Sequence, residues 1–595
     1  MNDVDFAALR VPRAEVDITL VSRWLESFER ALISGDVEAI TALFDSESHW
    51  RDLVAFTWHI TPFAGDLAIA NGLISAQPNI RAHDFALDTN RAAPRQVTRL
   101  GYEVIECFFR FETELGRGNG VLRLYAKDPT KAWVMLTTLE ELKGHEEKTG
   151  DRRPTGDAYS RNFGGENWLD QRVRHQRYDN NEPTVLVVGG GQAGLGIAAR
   201  LGQLDIDTLV VDKLPRIGDC WRLRYHSLAL HNEIYANHLP YLPFPPTMPK
   251  YIPKDMLANW FEFYAGVMEI NFWTGTEFIR GDYDVARKHW NATVRRPDGN
   301  ETTLHPRHIV FANGVSGIPK IPELPGLNEF EGEIIHSHSF TDGSAWKDKK
   351  ALVLGTGNSG HDVAQDLHSH GADTTIIQRG SSTVVSIDPS AILNYAMYKE
   401  GPQLEDCDLL ASSATYPHIV LGYQIAVKRM LELDKDLIAG LEGVGFKLDI
   451  GHDGTGHQMK YRRRGGGYYL DAGCSGLITD GEIGLLQFDK IDRFTSAGAS
   501  LKDGTTVTAD LLILATGYYA QQELVRRLLG DNIAETVGEI WGIDEEDGEM
   551  RNMWKRTAQK GLWFIAGSLA QCRIYSKYLA LQIKACELGF IEPYR

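Results

Sequence analysis

The chain has 595 residues, of which 43% are apolar and 24% charged, and its formal net charge is -18. That length exceeds a single core and implies about three to four domains. The acidic balance argues against nucleic acid as a partner, which needs a basic face, and no apolar run approaches the roughly 20 residues of a membrane-spanning helix.

The opening MNDVDFAALRVPRAEVD has no apolar signal core. From Val21 to Phe44, Val21, Trp24, Leu25, Phe28, Ala31 and Leu32 recur at helical spacing and give one apolar face. Gly35-Asp36 ends that helix, and Asp36 can cap the next. CFFRFETELGRGNGVLRLYA reads as two strands around a Gly-Asn-Gly turn, and AWVMLTTLEEL as a further strand. The expectation is an α+β domain over residues 1–142. Its SGDVEAITALF…WRD pattern resembles the NTF2-like cone fold. His49 and Asp52 are polar candidates for a pocket there, but no acid–base pair has evident spacing, so a covering, access-shaping or dimer-forming role is expected.

Residues 143–183 are polar and rich in Gly, Asn, Asp and Arg, and read as a surface linker. Strand and helix signals then alternate to the end, as in an α/β fold. TVLVVGGG is a buried strand running into Gly189-x-Gly191-x-x-Gly194. The three glycines permit the tight turn, the approach of backbone to a pyrophosphate, and close helix–strand packing. The following helix N-terminus offers free N–H groups. A second strand, TLVVDK, ends at Asp212, 18 residues past Gly194, followed by Lys213. An acid there accepts ribose hydroxyls and repels a 2′-phosphate, so FAD or NAD is expected. Gly218, Trp221 and Arg222 follow in RIGDCWRLRYH. They resemble the glycine–tryptophan–arginine segment that lines FAD in flavoprotein monooxygenases; Trp221 as ordinary core is the alternative.

VLGTGNSGHDVAQDL repeats the arrangement with Gly355-x-Gly357-x-x-Gly360. Its second strand, TTIIQRG, ends at Arg379, 19 residues past Gly360. A guanidinium there pairs with a 2′-phosphate, which points to NADPH; an Arg379 facing only solvent would leave NADH equally acceptable. RRRGGG at Arg462 to Gly467 reads as a tight loop rather than an RNA-binding segment, given the acidic chain. Six cysteines are scattered with no C-x-x-C pair. That fits a reducing cytoplasm and excludes a zinc site, a disulfide framework and disulfide-reductase chemistry. HSHS, with His336 and His338, has no third ligand at suitable spacing, so no metal is expected.

Between the two glycine loops lies Phe330-x-Gly332-x-x-x-His336-x-x-x-Phe340. It resembles the identifying sequence of class B flavoprotein monooxygenases. Flavin-containing monooxygenases usually carry Tyr at the last position and Baeyer–Villiger enzymes Trp; Phe340 matches neither. HIVFANGVSGIPKIPELPG, the Ala515-Thr516-Gly517-Tyr518 segment and GLWFIAGSLAQCRIYSKYLALQIKACELG also resemble that family, over about Val185 to Gly589. With its N-terminal extension the chain is similar to type II flavin-containing monooxygenases, a group with Baeyer–Villiger activity and tolerance of NADH. The resemblance implies two Rossmann-like domains, for FAD (residues 184–345 and 486–595) and NADPH (residues 346–485), beside the NTF2-like domain. It also implies insertion of one oxygen atom of O2 into a small organic substrate through a peroxyflavin, as Baeyer–Villiger or sulfur/nitrogen oxygenation. A flavin-based sensor or ligand-binding protein is the alternative.

The same resemblance places Asn358 near the flavin–nicotinamide contact, gives His336 a domain-linking or nicotinamide-positioning role, and sets Thr516 and Gly517 beside the cofactor. In HNEIYANHLPYLPFPP, Asn237 or His238 occupies the place of a polar residue near the flavin ring. Asn237 is favoured as a hydrogen-bond donor, with a turn-forming Asn as the alternative. Relatives often carry Asp there, and Asn cannot act as a base. A cytoplasmic homodimer without nucleic-acid or membrane partners is expected.

Overall fold

The computed structural model describes residues 16–156, 159 and 161–595. Helix α1 (Ile18–Ser34) buries Val21, Trp24, Leu25, Phe28, Ala31 and Leu32, the stripe read from the sequence. The Asp17 carboxylate accepts the Thr19 N–H at its start, and Gly35 ends it in the left-handed region at φ 70°. Asp36 caps α2 (Val37–Ala42) by accepting the Ala39 N–H. Against these helices and α3 (Asp66–Ile80) lies a seven-stranded sheet made of β1 (Phe44–Leu53), β2 (Ile60–Ala64), β3 (His83–Leu87), β4 (Arg95–Arg99), β5 (Tyr102–Glu112), β6 (Gly116–Tyr125) and β7 (Asp128–Leu142). The order is β2-β1-β7-β6-β5-β3, with β4 also on β5.

The Gly-Asn-Gly turn expected in this sheet does not exist. Gly118, Asn119 and Gly120 lie inside β6, paired with Phe111, Arg110 and Phe109 of β5. The reversal falls at Thr113–Leu115, where the Thr113 N–H meets the Gly116 carbonyl at 2.8 Å. The glycines serve packing: side chains at 118 and 120 would enter the rings of Phe111 and Phe109.

After the linker and its short helix α4 (Trp168–His175), the first parallel sheet is built from β8 (Val185–Val188), β9 (Thr208–Val211), β10 (Asn271–Trp273), β14 (His308–Phe311) and β25 (Leu562–Phe564), ordered β10-β9-β8-β14-β25. Helices α5 (Gln192–Gln203), α6 (Asp219–Arg222) and α7 (Lys254–Val267) belong to it. The crossover carries an antiparallel sheet of β11 (Glu277–Asp284), β12 (His289–Arg295) and β13 (Glu301–Leu304).

The second parallel sheet runs β15-β24-β16-β17-β20, from β15 (Glu333–His336), β16 (Lys350–Leu354), β17 (Asp373–Gln378), β20 (Gly484–Gln487) and β24 (Leu511–Leu514), with α8 (Asn358–Ser369) after β16. This moves the expected domain limits. Residues 333–336 and 511–514 pair inside the second sheet, so that unit starts before residue 346 and continues well past 485. Leu511, Leu512, Ile513 and Leu514 are all fully buried; such a strand needs a neighbour on each side, and β15 and β16 provide them.

Helices α9 (Leu404–Ser412), α10 (Tyr416–Leu433), α11 (Lys435–Gly443) and α12 (Gly456–Arg464) lie in chain order between β18 (Thr383–Ser386) and β19 (Tyr468–Asp471), which pair in parallel. The RRRGGG run is not all loop: its arginines are the last turn of α12, and Gly465 ends that helix at φ 71°. Helix α13 (Cys474–Thr479), a small sheet of β21 (Ile491–Thr495), β22 (Gly498–Leu501) and β23 (Thr506–Thr508), and helices α14 (Gln521–Leu529) and α15 (Asp531–Val537) precede α16 (Leu569–Glu587), which packs on α5. Among the described residues no helix is long and apolar enough to cross a membrane.

Candidate dinucleotide-binding active site

The two glycine loops fold alike. Gly189 and Gly355 leave β8 and β16 at φ 108° and 125°. A Cβ on Gly189 would come within 2.8 Å of the Ala312 carbonyl oxygen, and one on Gly355 would press on that of Ala515. Gly194 and Gly360 lie so close to the carbonyls of Gly189 and Gly355 that neither tolerates a side chain. The middle glycines, Gly191 and Gly357, are the N-caps of α5 and α8, and neither helix has a side-chain cap. A Cβ on either meets nothing nearer than 3.7 Å. Each helix therefore turns uncapped N–H donors and its positive end toward open space, as a pyrophosphate requires.

Asp212 follows β9 and its carboxylate accepts the N–H groups of Gly190 at 2.7 Å and Leu214 at 2.9 Å. Burial raises its pKa, while those N–H groups hold it down. It thus tightens the first cradle at the end of β9; Lys213 beside it is exposed. Gly218 lets α6 approach α7, since a Cβ would come within 2.9 Å of the Ala258 carbonyl carbon. Trp221 is half-buried and its indole N–H donates to the Gln192 side chain at 3.3 Å, next to the cradle. Arg222 pairs with Asp219 and donates to the Ile217 carbonyl. At the second cradle, Arg379 directly follows β17, is exposed, and makes no hydrogen bond or ion pair among the described residues.

The two units that carry the cradles pack directly on each other. Past Arg222 the first domain inserts Tyr225 into the apolar core of the second, and its hydroxyl donates to Asp362 on α8. The His226 N–H meets the Thr341 carbonyl at 2.8 Å. The two connections between domains run side by side: the N–H of Lys320 reaches the Gly517 carbonyl and that of Tyr519 the Ile318 carbonyl. Thr516 donates to the Lys320 carbonyl at 2.6 Å. His336 pins this double strand. Its Nδ1 accepts the His338 N–H at 3.0 Å, which leaves the proton on Nε2, and Nε2 donates to the Gly517 carbonyl at 3.2 Å. Burial lowers its pKa, which favours that neutral form.

Asn358, the first residue of α8, accepts the Leu470 N–H at 2.8 Å and ties the cradle to β19. Asn237 is buried, and its amide donates to the Asn232 carbonyl at 3.0 Å, closing the turn that holds it. Neighbouring His238 accepts the Phe244 N–H. Sequence reasoning missed the clamp on this turn. Arg573 of α16 donates to the carbonyls of Ala236 and His238, both at 2.8 Å, and is held by two bonds to Asp408. No spacing signals it, because Arg573 and Ala236 are 337 residues apart.

The N-terminal domain is locked onto this core. Buried Glu106 receives Arg95, Arg99 and Arg123, and Glu400 of the core binds Arg95 and Arg99 from the other side. Arg51 makes two 2.7 Å bonds to Glu549. His49 shares the Thr415 hydroxyl with His418, and Asp52 holds its own loop by accepting Phe56, Thr57 and Thr137.

Comparison with known proteins agrees with this geometry. The pyridine nucleotide-disulphide oxidoreductase family matches residues 183–401. All six cysteines are free, however, and no pair flanks either cradle. The chain is 28% identical over 337 residues to a probable indole-3-pyruvate monooxygenase, YUCCA4, of Arabidopsis thaliana, covering 56% of this chain and 75% of that one. It is 29% identical over 358 residues to the indole-3-pyruvate monooxygenase YUCCA1 of Oryza sativa subsp. japonica, covering 59% and 80%. Among solved structures, ε-caprolactone-bound cyclohexanone monooxygenase superposes over 69% of this chain and 88% of its own, with TM-score 0.50 and 16% identity, a likeness of fold. The fold and its paired cradles define a protein with two dinucleotide-binding units. With its sequence relatives and the motif around His336, the chain is similar to monooxygenases built on this two-dinucleotide fold.

Proposed function

We propose that this protein oxygenates small organic carbonyl compounds in a Baeyer–Villiger-like reaction, with sulfur and nitrogen centres as secondary substrates, and that each cradle has one cofactor. The carrying observation is the duplication itself: two uncapped helix N-termini after parallel strands, one cradle with a carboxylate at the end of its second strand and the other with an unpaired guanidinium there. Bound in the first cradle, FAD would supply the redox and oxygen-transfer chemistry, with NADPH in the second as hydride source.

In this reading the N–H groups at Gly191 and Gly357 hold the pyrophosphates. Asp212 and Lys213 flank the FAD ribose, and Gly218, Trp221 and Arg222 line FAD. Arg379 receives the NADPH 2′-phosphate, which makes NADPH the better donor over NADH. Asn358 keeps the start of α8 fixed against β19. The second amide hydrogen of Asn237 serves the reacting oxygen, and Arg573 fixes its turn. His336 is a positioning residue that maintains the angle between the domains through Gly517, beside Thr516. The N-terminal domain excludes water from the site, since a wet site wastes reduced flavin as hydrogen peroxide. The six free cysteines, four of them buried, support a reducing cytoplasmic setting. The type II grouping and a homodimer complete the proposal.

The test is direct. The full-length protein, loaded with FAD, is reduced with NADPH and exposed to labelled O2 and a panel of ketones and thioethers. One labelled oxygen atom in an ester product is expected; NADPH consumption that yields only hydrogen peroxide across the panel would refute the proposal.

A further inference from the structure

Where the N-terminal domain meets the core there is a second opening, outside both cradles. It encloses about 440 Å³ between protein atoms, part of it open to solvent, and is lined by Arg51, Tyr416, Arg462, Glu549, Trp554 and Tyr575 among others. Two guanidinium groups border it, and their situations differ. Arg51 is fully answered: Glu549 takes two of its N–H groups at 2.7 Å, the Ser412 carbonyl accepts at 2.6 Å and the Tyr575 hydroxyl at 3.2 Å. Arg462 donates from Nε to the Tyr423 hydroxyl at 3.0 Å and forms no ion pair among the described residues. The next residue, Arg463, has its carboxylate in Asp453. The opening therefore carries one uncompensated positive charge, held in a largely protein-lined space where an anion is favoured.

Its position connects it to the chemistry. Tyr575 lies on α16 one turn beyond Gln571. The Gln571 side chain accepts the Ser568 N–H at 3.0 Å and the hydroxyl of Tyr461, the residue before Arg462. The neighbouring Gly567 carbonyl accepts from Gln192 of the first cradle. Both walls thus connect the first cradle with the opening; along α16, Gln571 and Tyr575 are about 6 Å apart.

We propose that this opening is the carboxylate subsite of the substrate pocket: Arg462 receives the carboxylate of an oxo acid, and the N-terminal domain, through Arg51, forms the outer wall. The carbonyl of such a substrate, a few carbons from its carboxylate, extends along α16 toward the first cradle. Only its destination as a reaction site rests on the monooxygenase reading above; anion binding does not.

The experiment is isothermal titration of the full-length, FAD-loaded protein with 4-oxopentanoate and with its methyl ester, followed by labelled-oxygen incorporation from both. The acid is expected to bind about 10-fold tighter than the ester or better, the effect of one charge-assisted pair. Arg462→Met abolishes this preference without weakening the ester, and Arg462→Lys keeps part of it. FAD content and thermal midpoint of each variant report folding. Equal affinity for acid and ester, or a preference that survives in Arg462→Met, overturns the subsite. Acid-selective binding without oxygenation of either compound upholds the subsite and removes the monooxygenase reading. Oxygenation of both with no acid preference does the reverse.

Discussion

Replacing one hydrogen with a methyl group should separate the two nucleotide seats. In Gly360→Ala the new Cβ falls within 2.8 Å of the Gly355 carbonyl carbon and closer still to its oxygen, while real Cβ atoms essentially never come nearer than 3.0 Å. The obstacle is backbone, so α8 has to retreat from β16 by roughly 1 Å. Such overpacking costs about 1–3 kcal/mol of stability, and a displacement of that size at a site requiring tight alignment costs on the order of 100-fold, near 2.7 kcal/mol. Gly194→Ala imposes the same strain against Gly189 in the first cradle. The variants should nevertheless behave differently. Gly360→Ala should retain FAD, with its visible absorbance intact, and show an NADPH-reduction rate at low NADPH about 100-fold below wild type. Gly194→Ala should purify largely without FAD. Stopped-flow absorbance reads both. If Gly360→Ala loses FAD, or accepts hydride as wild type does, the assignment of the seats is wrong.

Arg379→Ala should raise KM for NADPH by about 10- to 100-fold and leave KM for NADH unchanged, since it removes one charge-assisted pair worth about 1.5–3 kcal/mol; steady-state kinetics with both donors check this. Glu106→Gln removes the carboxylate partner of buried Arg123, leaves Arg95 and Arg99 with Glu400 alone, and should cost about 3–5 kcal/mol in urea unfolding. Histidines buried neutral make acid destabilising. Burial, more than neighbouring charge, lowers His238, His361 and His457 to about 4 and His418 to about 3. Their folded values lie below the unfolded 6.5, so their contribution is complete above pH 6.5 and is lost as pH falls toward 4. The thermal midpoint should be level near pH 7.5 and lower at pH 5; a rise on acidification would contradict the buried-neutral state.

Much of the architecture was legible because its code is short-range. Three glycines at fixed spacing after an apolar run specify a turn of a few residues, and both cradles fold as read. The stripe from Val21 to Leu32 found the buried face of α1, and Asp36 its cap. Gly118-Asn119-Gly120 misled because a turn and a strand packed under aromatic rings both call for glycine. Strand 511–514 was assigned to the wrong unit because four apolar residues announce a buried strand without naming its neighbours.

The sequence by itself determined that this chain has two glycine cradles, one followed by an acid and the other by an arginine, no paired cysteines beside them, and an appended α+β domain. Those properties reside in residue type and in separations of twenty residues or fewer. Only the tertiary structure decided that the N-terminal domain closes on the core through Arg51 and Glu549, 498 residues apart, that Arg573 clamps the turn of Asn237, and that Arg462 is left without a carboxylate. Such contacts have no period along the chain. They exist because burying a charged group demands a partner wherever folding brings one within reach.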